Sequence, residues 1–346
     1  MSSASSSITT PDTFQSTSAS ILRPRYDVLG DVALLNTLPP ADQKTIIAQT
    51  IMKQNKAIRI VVARTSSLSG PERAPISSNN NHNDLISNEN NLGIQLLAGP
   101  KRSPLITSHC EHGIKCVIDI ERTFFSPRMG NERIRICQSV ARGEHVLVLF
   151  CGVGMDAMQI AGRTEASRIV AVELNPIAAE CARRGKRMLE RNRTVKCPGA
   201  AQRLEIVECD ALEYMHGISN TNQIYSPKQE QEHDKASDLD CPVRIFDRIL
   251  APRPKEGSMD GDLGKGDHGL PFLKALLPLL KHQGECHWYD FAADHEMPTC
   301  ERTKLLIQNT CHEMGLHVEF IGVHNAGSVA KRQLRVCVDF RILTKI

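Results

Sequence analysis

Residues 145–156 read HVLVLFCGVGMD, and residues 169–176 read IVAVELNP. Each stretch begins with an apolar run; the first run leads into two closely spaced glycines and the second into an acid. A strand, a glycine-rich turn, a helix and a second strand with a terminal acid form a nucleotide-binding βαβ unit. Glu173 would accept hydrogen bonds from a ribose, and Gly152 and Gly154 would let the ligand approach the backbone, where a Cβ atom would collide.

The glycine spacing indicates which nucleotide is bound. The turn lacks the third glycine of the dinucleotide fingerprint and the Gly-Lys-Ser/Thr sequence of a triphosphate site. S-adenosylmethionine suits this pattern better, and a Rossmann-like core that binds a different ligand is the alternative. The next predicted strand ends in Asp210, an acid suited to the amino group of adenine, and the fourth strand leads into APRP at residues 251–254. Ligands of such sheets bind beyond the carboxyl ends of the strands.

The sequence as a whole indicates that the chain has three parts: a tail, a small module and a larger domain. Residues 1–23 are rich in Ser and Thr and predict a disordered tail. Residues 24–125 predict a small α+β module, and residues 126–346 predict an α/β domain with a Rossmann-like sheet that ends in antiparallel strands. The polar segments at 66–92 and 216–241 predict mobile insertions.

Shorter periodic segments predict the individual elements. In the first module we expect a strand-like run at residues 26–35 and a helix at residues 40–55, in which Ile46, Ile47 and Ile51 have helical spacing. We also expect four short strands, at residues 58–63, 94–97, 107–109 and 115–118. In the domain that follows, we expect a helix near residues 272–281 after the fourth strand, then a strand near residues 284–291 and a second helix near residues 303–314. A closing pair of strands is expected near residues 317–322 and 334–343.

Composition limits the classes of function. The chain has 346 residues and a formal net charge of +3, which permits a nucleic-acid partner without requiring one. Its 12 cysteines contain no Cys-x-x-Cys pair, which favours a reduced, cytoplasmic protein, with a mitochondrial or nuclear pool as an alternative. No apolar run is long enough to predict a membrane span. Cys286, His287 and His295 lie close together without a metal-binding spacing, so we expect no metal.

Residues 124–136, FFSPRMGNERIRI, carry the most specific motif of the chain. This segment resembles the Phe-Ser-Pro-Arg-x-x-x-Glu-Arg-x-Arg-Ile segment of the tRNA (guanine-37-N1)-methyltransferase family of archaea and eukaryotes. Residues 26–33, 97–99 and 336–341 resemble other segments of that family in the same order. The likeness extends over residues 24–346 apart from the polar insertions, and it implies a class I S-adenosylmethionine-dependent methyltransferase fold preceded by an RNA-side module.

The implied reaction needs a base and a cation. Guanine N1 carries a proton and becomes nucleophilic only when that proton leaves, while negative charge accumulates on O6. The resemblance assigns the base to Glu132 and the O6-stabilising cation to Arg128. On a helix these residues would lie side by side, since they are four positions apart. The alternative is that they form a surface ion pair without a catalytic role.

The resemblance also implies a cofactor site. Glu173 and Leu174 would bind the ribose, Asp210 and Ala211 the adenine, and Arg133 would contact the cofactor. The full set that we predict for the cofactor is Arg133, Phe150, Gly152, Gly154, Glu173, Leu174, Asn175, Asp210, Ala211 and Pro252. The chain departs from the family at Pro252, where an Asn is common, and at Val148, where many relatives have an acid.

Three other functions remain open. The sister enzymes of the superfamily transfer the aminocarboxypropyl group of the same cofactor to a tricyclic guanosine derivative, but they usually have a small residue at the position of Arg128. A non-catalytic tRNA-binding protein is disfavoured by the intact glycines and acids. A methyltransferase that acts on another RNA or on protein is a further alternative, because Pro252 stands where the family commonly has an Asn.

The expected partner is tRNA, bound by a monomer. We expect a flipped nucleotide between residues 124–133 and 251–255. Trp288 or Tyr289 would stack on the base or, alternatively, pack in the core. Phosphate contacts are expected from basic residues near the C-terminus, namely Lys331, Arg332 and Arg335.

Overall fold

The structure is a computed structural model that describes residues 25–65, 68–69, 74–75, 93–193, 195–224, 244–253 and 269–343. Outside the described residues lie the predicted tail at 1–23, most of the predicted insertion at 66–92 and residues 225–241 of the second one. The described residues contain a small N-terminal sheet and a larger Rossmann-like sheet.

The N-terminal part of the chain is mostly β-structure. Its elements are β1 (Tyr26–Leu29), β2 (Val32–Leu35), α1 (Lys44–Gln54), β3 (Ile60–Arg64), β4 (Leu68–Ser69), β5 (Ala74–Pro75), β6 (Ile94–Ala98), β7 (Ile106–Glu111) and β8 (Ile114–Asp119). The first sheet has the order β1-β2-β3-β6. Its strands β2 and β3 are parallel, because α1 returns the chain between them. In α1, Ile47 and Ile51 are buried, whereas Ile46 faces solvent.

Residues 26–35 form a hairpin rather than one strand-like run. Strands β1 and β2 pair antiparallel, and Gly30 between them has a φ of +57°, in the left-handed region that favours glycine. A Cβ atom on Gly30 would lie 2.2 Å from Thr107 Oγ1. The turn therefore fits only because this residue has no side chain.

The hairpin β7–β8 packs on the Rossmann-like domain. Ile114 of β8 lies close to Gly162 of α3, and a Cβ atom on Gly162 would be only 2.7 Å from Ile114 Cδ1. One buried apolar cluster contains Val32 and Ile60 of the first sheet together with Val146 of the Rossmann-like sheet. The first sheet and the larger sheet thus share a core, and the division between residues 125 and 126 stays a prediction.

The Rossmann-like domain begins with a short 3₁₀ turn at Pro127–Met129. Its elements are α2 (Gly130–Ser139), β9 (His145–Val148), α3 (Met155–Arg163), β10 (Arg168–Glu173), α4 (Pro176–Glu190), β11 (Leu204–Glu208), α5 (Ala211–Ile224), β12 (Phe246–Ala251), α6 (Leu270–Leu276), β13 (Leu280–Ala293), α7 (Glu301–Glu313), β14 (His317–Ala330) and β15 (Gln333–Leu343).

The seven strands of this sheet have the order β11-β10-β9-β12-β13-β15-β14. The first five are parallel to one another, and β15 pairs antiparallel with both β13 and β14. Alternate residues of β9 enter different buried clusters, with Val146 in one and Leu147 in the other. The sheet is therefore covered on both faces, as parallel sheets require. The prediction of an α/β domain with an antiparallel end is confirmed.

Two predicted boundaries were wrong. Helix α5 continues to Ile224, so residues 216–224 of the predicted second insertion are helical, with Ile218 packed against the core. The helix expected over residues 272–281 ends at Leu276 and is followed by a 3₁₀ turn at Leu277–Leu279. Pro278 lies in that turn, and its missing N–H disfavours a continued helix. None of the helices in the described ranges is long and apolar enough to cross a membrane.

Candidate cofactor and active site

The turn between β9 and α3 has a left-handed backbone. Phe150, Gly152 and Gly154 have φ values of +52°, +56° and +79°, in a region that costs a side chain energy and favours glycine. A Cβ atom added to Gly152 would meet no atom of the described residues closer than the carbonyl oxygen of Phe124, at 3.6 Å. Gly152 therefore borders space in which a ligand can approach the backbone, and its contact with a cofactor stays a prediction.

Gly154 is required for a different reason. A Cβ atom on Gly154 would lie 2.8 Å from the Cβ of Ala182 in α4. That distance is much shorter than the usual contact of about 3.5–4.0 Å between carbon atoms. The structure therefore assigns Gly154 to the close packing of α3 on α4, whereas the sequence interpretation assigned it to ligand approach.

Glu173 ends β10 beside the glycine turn. Its Oε2 accepts a hydrogen bond from the backbone N–H of Gly152 at 2.7 Å, and its Oε1 accepts one from Asn175 at 2.9 Å. These two bonds hold the carboxylate at the carboxyl end of the strand adjacent to β9. The position is the one expected for an acid that binds a ribose at this edge of the sheet.

Two other residues of the predicted cofactor set cap helices. Asn175 is 2% exposed, and its Oδ1 accepts hydrogen bonds from the N–H groups of Ile177 and Ala178 at the start of α4. Asp210 Oδ1 accepts from the N–H groups of Leu212 and Glu213 in the first turn of α5, at 2.8 and 3.1 Å. Both side chains thereby satisfy N–H groups that a helix start leaves unpaired.

The remaining members of the cofactor set lie beside these caps. Leu174 is half-buried after Glu173, and Ala211 is buried after Asp210. Because β9, β10 and β11 are neighbours in the sheet, the glycine turn, Glu173 and Asp210 occupy three adjacent strand ends.

Glu132 lies in the first turn of α2 and is only 7% exposed. Its Oε1 accepts hydrogen bonds from the Tyr289 hydroxyl at 2.9 Å and from Arg135 Nη2 at 2.7 Å. Its Oε2 accepts from Arg135 Nε at 2.8 Å. Burial raises the pKa of Tyr289, and the nearby Cys337 and Glu132 raise it further, so the phenol stays protonated and donates to Glu132.

Arg128 does not pair with Glu132, contrary to the expectation of a side-by-side pair. It lies in the 3₁₀ turn before α2, and its Nε donates to Asp27 Oδ1 of β1 at 2.9 Å. A 3₁₀ turn has about three residues per turn instead of 3.6, so the two positions do not share one α-helical face. The side chain of Arg128 is 46% exposed, on the side of the N-terminal sheet.

A buried chain of ion pairs and hydrogen bonds extends from Glu132 into the sheet. Arg135 Nη1 donates to Asp339 Oδ2 at 2.5 Å. Asp339 Oδ1 lies 2.8 Å from His287 Nδ1, and His287 Nε2 lies 2.7 Å from Arg248 Nη1. Because Arg248 can only donate, His287 accepts at Nε2 and donates from Nδ1, which makes it a neutral ring.

This chain fits hydrogen bonding better than metal binding. Among the described residues, His287, Cys337 and Asp339 place possible ligand atoms within 4.8 Å of one another. Both nitrogens of His287 already have partners, and Cys337 Sγ donates to Asp339 at 3.1 Å. Burial raises the pKa of Cys337 well above its ordinary value, which disfavours a thiolate ligand. The sequence group of Cys286, His287 and His295 does not come together, because His295 is 81% exposed and Cys286 packs in the core.

Arg133 connects α2 to the helix that follows the glycine turn. It is 5% exposed, and it pairs with Glu111 at 2.7 Å and with Asp156 in α3 at 3.3 Å. Its guanidinium also lies 5.0 Å from the ring centre of Phe125. Arg133 therefore fixes the position of the neighbouring Glu132 relative to the glycine turn, and a cofactor contact from Arg133 stays a prediction.

The end of β12 forms the opposite side of the site. Pro252 is half-buried, and its carbonyl oxygen accepts a hydrogen bond from Arg335 Nη2 at 2.8 Å. Arg253 is buried, pairs with Asp290 at 2.9 Å and lies 5.4 Å from the ring centre of Trp288.

The structure decides one of the expectations for RNA contacts. Trp288 and Tyr289 are 0% and 1% exposed, so they pack in the core, which was the alternative interpretation. Arg335 is half-buried, with its guanidinium 5.4 Å from the ring centre of Tyr289, and its predicted phosphate contact stays a prediction. Lys331 and Arg332 are exposed at the turn between β14 and β15, and their phosphate contacts stay a prediction.

Sequence reasoning missed Tyr289 as a partner of Glu132, Asp339 as a partner of Arg135, and Arg335 as a residue of the site. Arg135 belongs to the quoted motif, so its type was visible although its role was not. The others are separated from Glu132 by more than 150 residues, and no local pattern marks them.

Comparison with known proteins finds similarity to tRNA methyltransferases. A family model described as the TRM5/TYW2 methyltransferase domain matches residues 107–211. The tRNA (guanine(37)-N(1))-methyltransferase Trm5b of Pyrococcus abyssi is 22% identical over 92% of this chain and 74% of its own length. Its crystal structure superposes on this one with a TM-score of 0.63, 20% identity and coverage of 92% of this chain and 75% of that one.

Two further proteins cover most of the chain. The Nanoarchaeum equitans tRNA (guanine(37)-N(1))/4-demethylwyosine(37)-methyltransferase Taw22 is 25% identical over 92% of this chain and 99% of its own length. The structure of P. horikoshii TYW2 in complex with MeSAdo has a TM-score of 0.59 and 20% identity, over 93% of this chain and 91% of that one. Residues 107–211 thus match the TRM5/TYW2 methyltransferase domain, and the chain has the fold of a class I S-adenosylmethionine-dependent methyltransferase.

Proposed function

We propose that this protein is an S-adenosylmethionine-dependent tRNA methyltransferase that modifies N1 of guanosine 37. The observation that carries the proposal is the position of Glu132. Tyr289 and Arg135 hold its buried carboxylate. The neighbouring Arg133 pairs with Asp156 in the first turn of α3, the helix that follows the glycine turn. A fixed carboxylate beside a nucleotide site is suited to removing a proton from a bound base. Two relatives whose sequences match over 92% of the chain are named tRNA (guanine(37)-N(1))-methyltransferases, one of them also as a 4-demethylwyosine(37)-methyltransferase.

The residues present fit S-adenosylmethionine. Gly152 leaves open space at the end of β9, Glu173 places a carboxylate at the end of β10, and Asp210 places one at the end of β11. Glu173 would hold the ribose, and Asp210 with Ala211 would hold the adenine. Phe150 and Leu174 would line the site, and Pro252 would border it from the end of β12. S-adenosylmethionine supplies an electrophilic methyl group on a positively charged sulfur.

The protein residues then act on the guanine. Glu132 accepts the proton of N1, and the freed electron pair of N1 forms the bond to the methyl carbon. The methyl group would be supplied by S-adenosylmethionine, and S-adenosylhomocysteine would leave with the electron pair of the broken carbon–sulfur bond. Tyr289 and Arg135 keep the carboxylate in place before the transfer. Arg128 is the cation that the motif assigns to O6, although here it pairs with Asp27.

The remaining functional assignments are also proposals. We propose that residues 24–125 form the RNA-side module, that the protein acts on tRNA as a monomer, and that Lys331 and Arg332 contact phosphates. Free thiols at the eleven described cysteines support a reducing compartment, and we propose the cytoplasm with a mitochondrial or nuclear pool. A fractionation experiment with a tagged full-length chain would test the location.

Transfer of labelled methyl to tRNA transcripts tests the function. We would compare a transcript with G37 and one with A37, using wild type, Glu132→Gln and the control Glu165→Gln, which alters a 61% exposed side chain. We expect transfer to G37 only, a loss of about 10²-fold or more with Glu132→Gln, and no change with the control. An unchanged rate for Glu132→Gln would exclude it as the base.

The same assay separates methyl transfer from the sister reaction. With carboxyl-labelled cofactor, aminocarboxypropyl transfer would leave label in the tRNA, whereas methyl transfer would not. We expect label only from the methyl-labelled cofactor. The opposite result, with a tricyclic guanosine derivative at position 37, would assign the chain to the aminocarboxypropyl branch.

A further inference from the structure

Arg335 of β15 reaches both sides of the proposed active site. Its guanidinium lies 5.4 Å from the ring centre of Tyr289, whose hydroxyl donates to Glu132. Its Nη2 donates to the carbonyl oxygen of Pro252 at 2.8 Å. The side chain therefore lies between the wall that carries the proposed base and the wall at the end of β12.

Arg335 differs from the other arginines around the site in its partners. Arg128, Arg133, Arg135 and Arg253 each pair with at least one carboxylate. In the part of the chain that the structure describes, the direct partners of Arg335 are two aromatic rings and one carbonyl oxygen; Asp156 is near enough to raise its pKa but forms no ion pair with it. Its Nε is buried without a hydrogen-bond partner there.

A guanidinium in such a place, without a directly bonded carboxylate, is costly to the fold. Its donors lose water without gaining full replacement, and an unsatisfied buried donor costs about 1–3 kcal/mol. Burial lowers the pKa of Arg335, but an arginine side chain remains charged at neutral pH. Proteins accept such a cost where the charge meets an anion that forms during the reaction.

We propose that Arg335 is a catalytic residue that donates hydrogen bonds to O6 of the target guanine. The inference rests on the proposed function. When Glu132 takes the N1 proton, negative charge spreads onto the neighbouring O6, and a cation there stabilises it. Arg335 is suited to this role because Tyr289 contacts it and Glu132 alike, whereas Arg128 is turned toward Asp27. The Pro252 side chain offers no donor of its own, and its carbonyl group orients Arg335.

The test compares two target bases under single-turnover conditions. One tRNA transcript carries guanosine at position 37, and the other carries 6-thioguanosine, in which sulfur replaces O6 and the N1 proton is more acidic. The variants are Arg335→Gln, Arg128→Gln and, as a control with the same chemical change, Arg142→Gln, whose side chain is 87% exposed. Cofactor affinity is measured by calorimetry and tRNA affinity by filter binding.

We expect Arg335→Gln to lower the transfer rate with guanosine about 10²-fold, the usual loss for one donor to a developing oxyanion. With 6-thioguanosine the loss should be clearly smaller, because the base carries its charge on sulfur and needs less stabilisation. Cofactor and tRNA affinities should stay near those of wild type, and Arg142→Gln should change nothing. Should Arg335→Gln fold poorly, Arg335→Lys, which keeps the charge, should show a smaller loss with the same dependence on the base.

Equal losses on both bases, or no loss, would overturn the inference. A base-dependent loss in Arg128→Gln alone would assign the O6 contact to Arg128 instead. If the wild type transferred no methyl group to G37, the proposed function would fail and the inference with it.

Discussion

The two glycines of the nucleotide turn should respond differently to the same added methyl group. Gly152→Ala and Gly154→Ala both place a side chain on a left-handed residue, with φ of +56° and +79°. That backbone conformation alone costs a non-glycine residue about 1–2 kcal/mol. The surroundings of the two Cβ atoms then separate the variants.

The structure gives the size of that separation. At Gly152 the new Cβ meets only the Phe124 carbonyl oxygen at 3.6 Å, an ordinary contact, so destabilisation should stay at about 1–2 kcal/mol. At Gly154 it meets Ala182 Cβ at 2.8 Å and Ala182 Cα at 3.4 Å. Neither atom belongs to a flexible side-chain end, so α3 and α4 must separate, at a further cost of about 1–3 kcal/mol.

Urea denaturation and calorimetry with S-adenosylhomocysteine check this prediction. We expect Gly154→Ala to unfold at a clearly lower urea concentration than Gly152→Ala. We expect Gly152→Ala, although better folded, to lose most of its affinity for S-adenosylhomocysteine, because its new methyl group occupies ligand space. The reasoning would be refuted if the two variants were equally stable, or if Gly152→Ala bound the ligand as wild type does.

Two further predictions concern buried polar groups. Asp339 accepts hydrogen bonds from Arg135 and His287, so Asp339→Asn should destabilise the protein by about 3 kcal/mol near neutral pH, measured by denaturation. Burial raises the pKa of Asp339, but these hydrogen bonds lower it more, so the pKa lies below its ordinary value. The stabilisation by the Asp339 carboxylate is therefore complete above about pH 4 and is lost below it. A stability difference between variant and wild type that does not shrink toward pH 3 would contradict this account. Asn175→Ala removes the cap of α4 together with the hydrogen bond that Asn175 Nδ2 donates to the Arg122 carbonyl oxygen, and it should cost about 1–2 kcal/mol in the same measurement; an unchanged stability would contradict the capping role.

The local parts of the site were predictable because their physics is local. An apolar run, a left-handed glycine turn and a strand-terminal acid lie within about thirty residues, and each follows from backbone and burial preferences of neighbouring positions. The positions of Gly152 and Glu173 at adjacent strand ends followed from that pattern. The Phe-Ser-Pro-Arg motif likewise singled out Glu132 before any partner of it was known.

The errors arose where two influences competed. The polar composition after residue 215 indicated an insertion, but the Asp210 cap, the buried Met215 and the half-buried Ile218 favour a helix, and α5 continues to Ile224. Spacing placed Arg128 beside Glu132, but the 3₁₀ turn and Asp27 took it elsewhere. In both cases contacts with more distant residues, which the local pattern does not contain, decided the structure.

The sequence by itself determined the nucleotide-binding unit, the Rossmann-like fold with its antiparallel end, and Glu132 as the proposed base. Only the tertiary structure decided which groups surround that base. Tyr289 is 157 residues from Glu132, and Asp339 is 204 residues from Arg135. Such partners meet because β13 and β15 are neighbours in one sheet and α2 packs at its end, and no sequence period records that proximity. Whether an arginine is neutralised by a carboxylate or kept for a substrate is therefore settled by packing between distant segments.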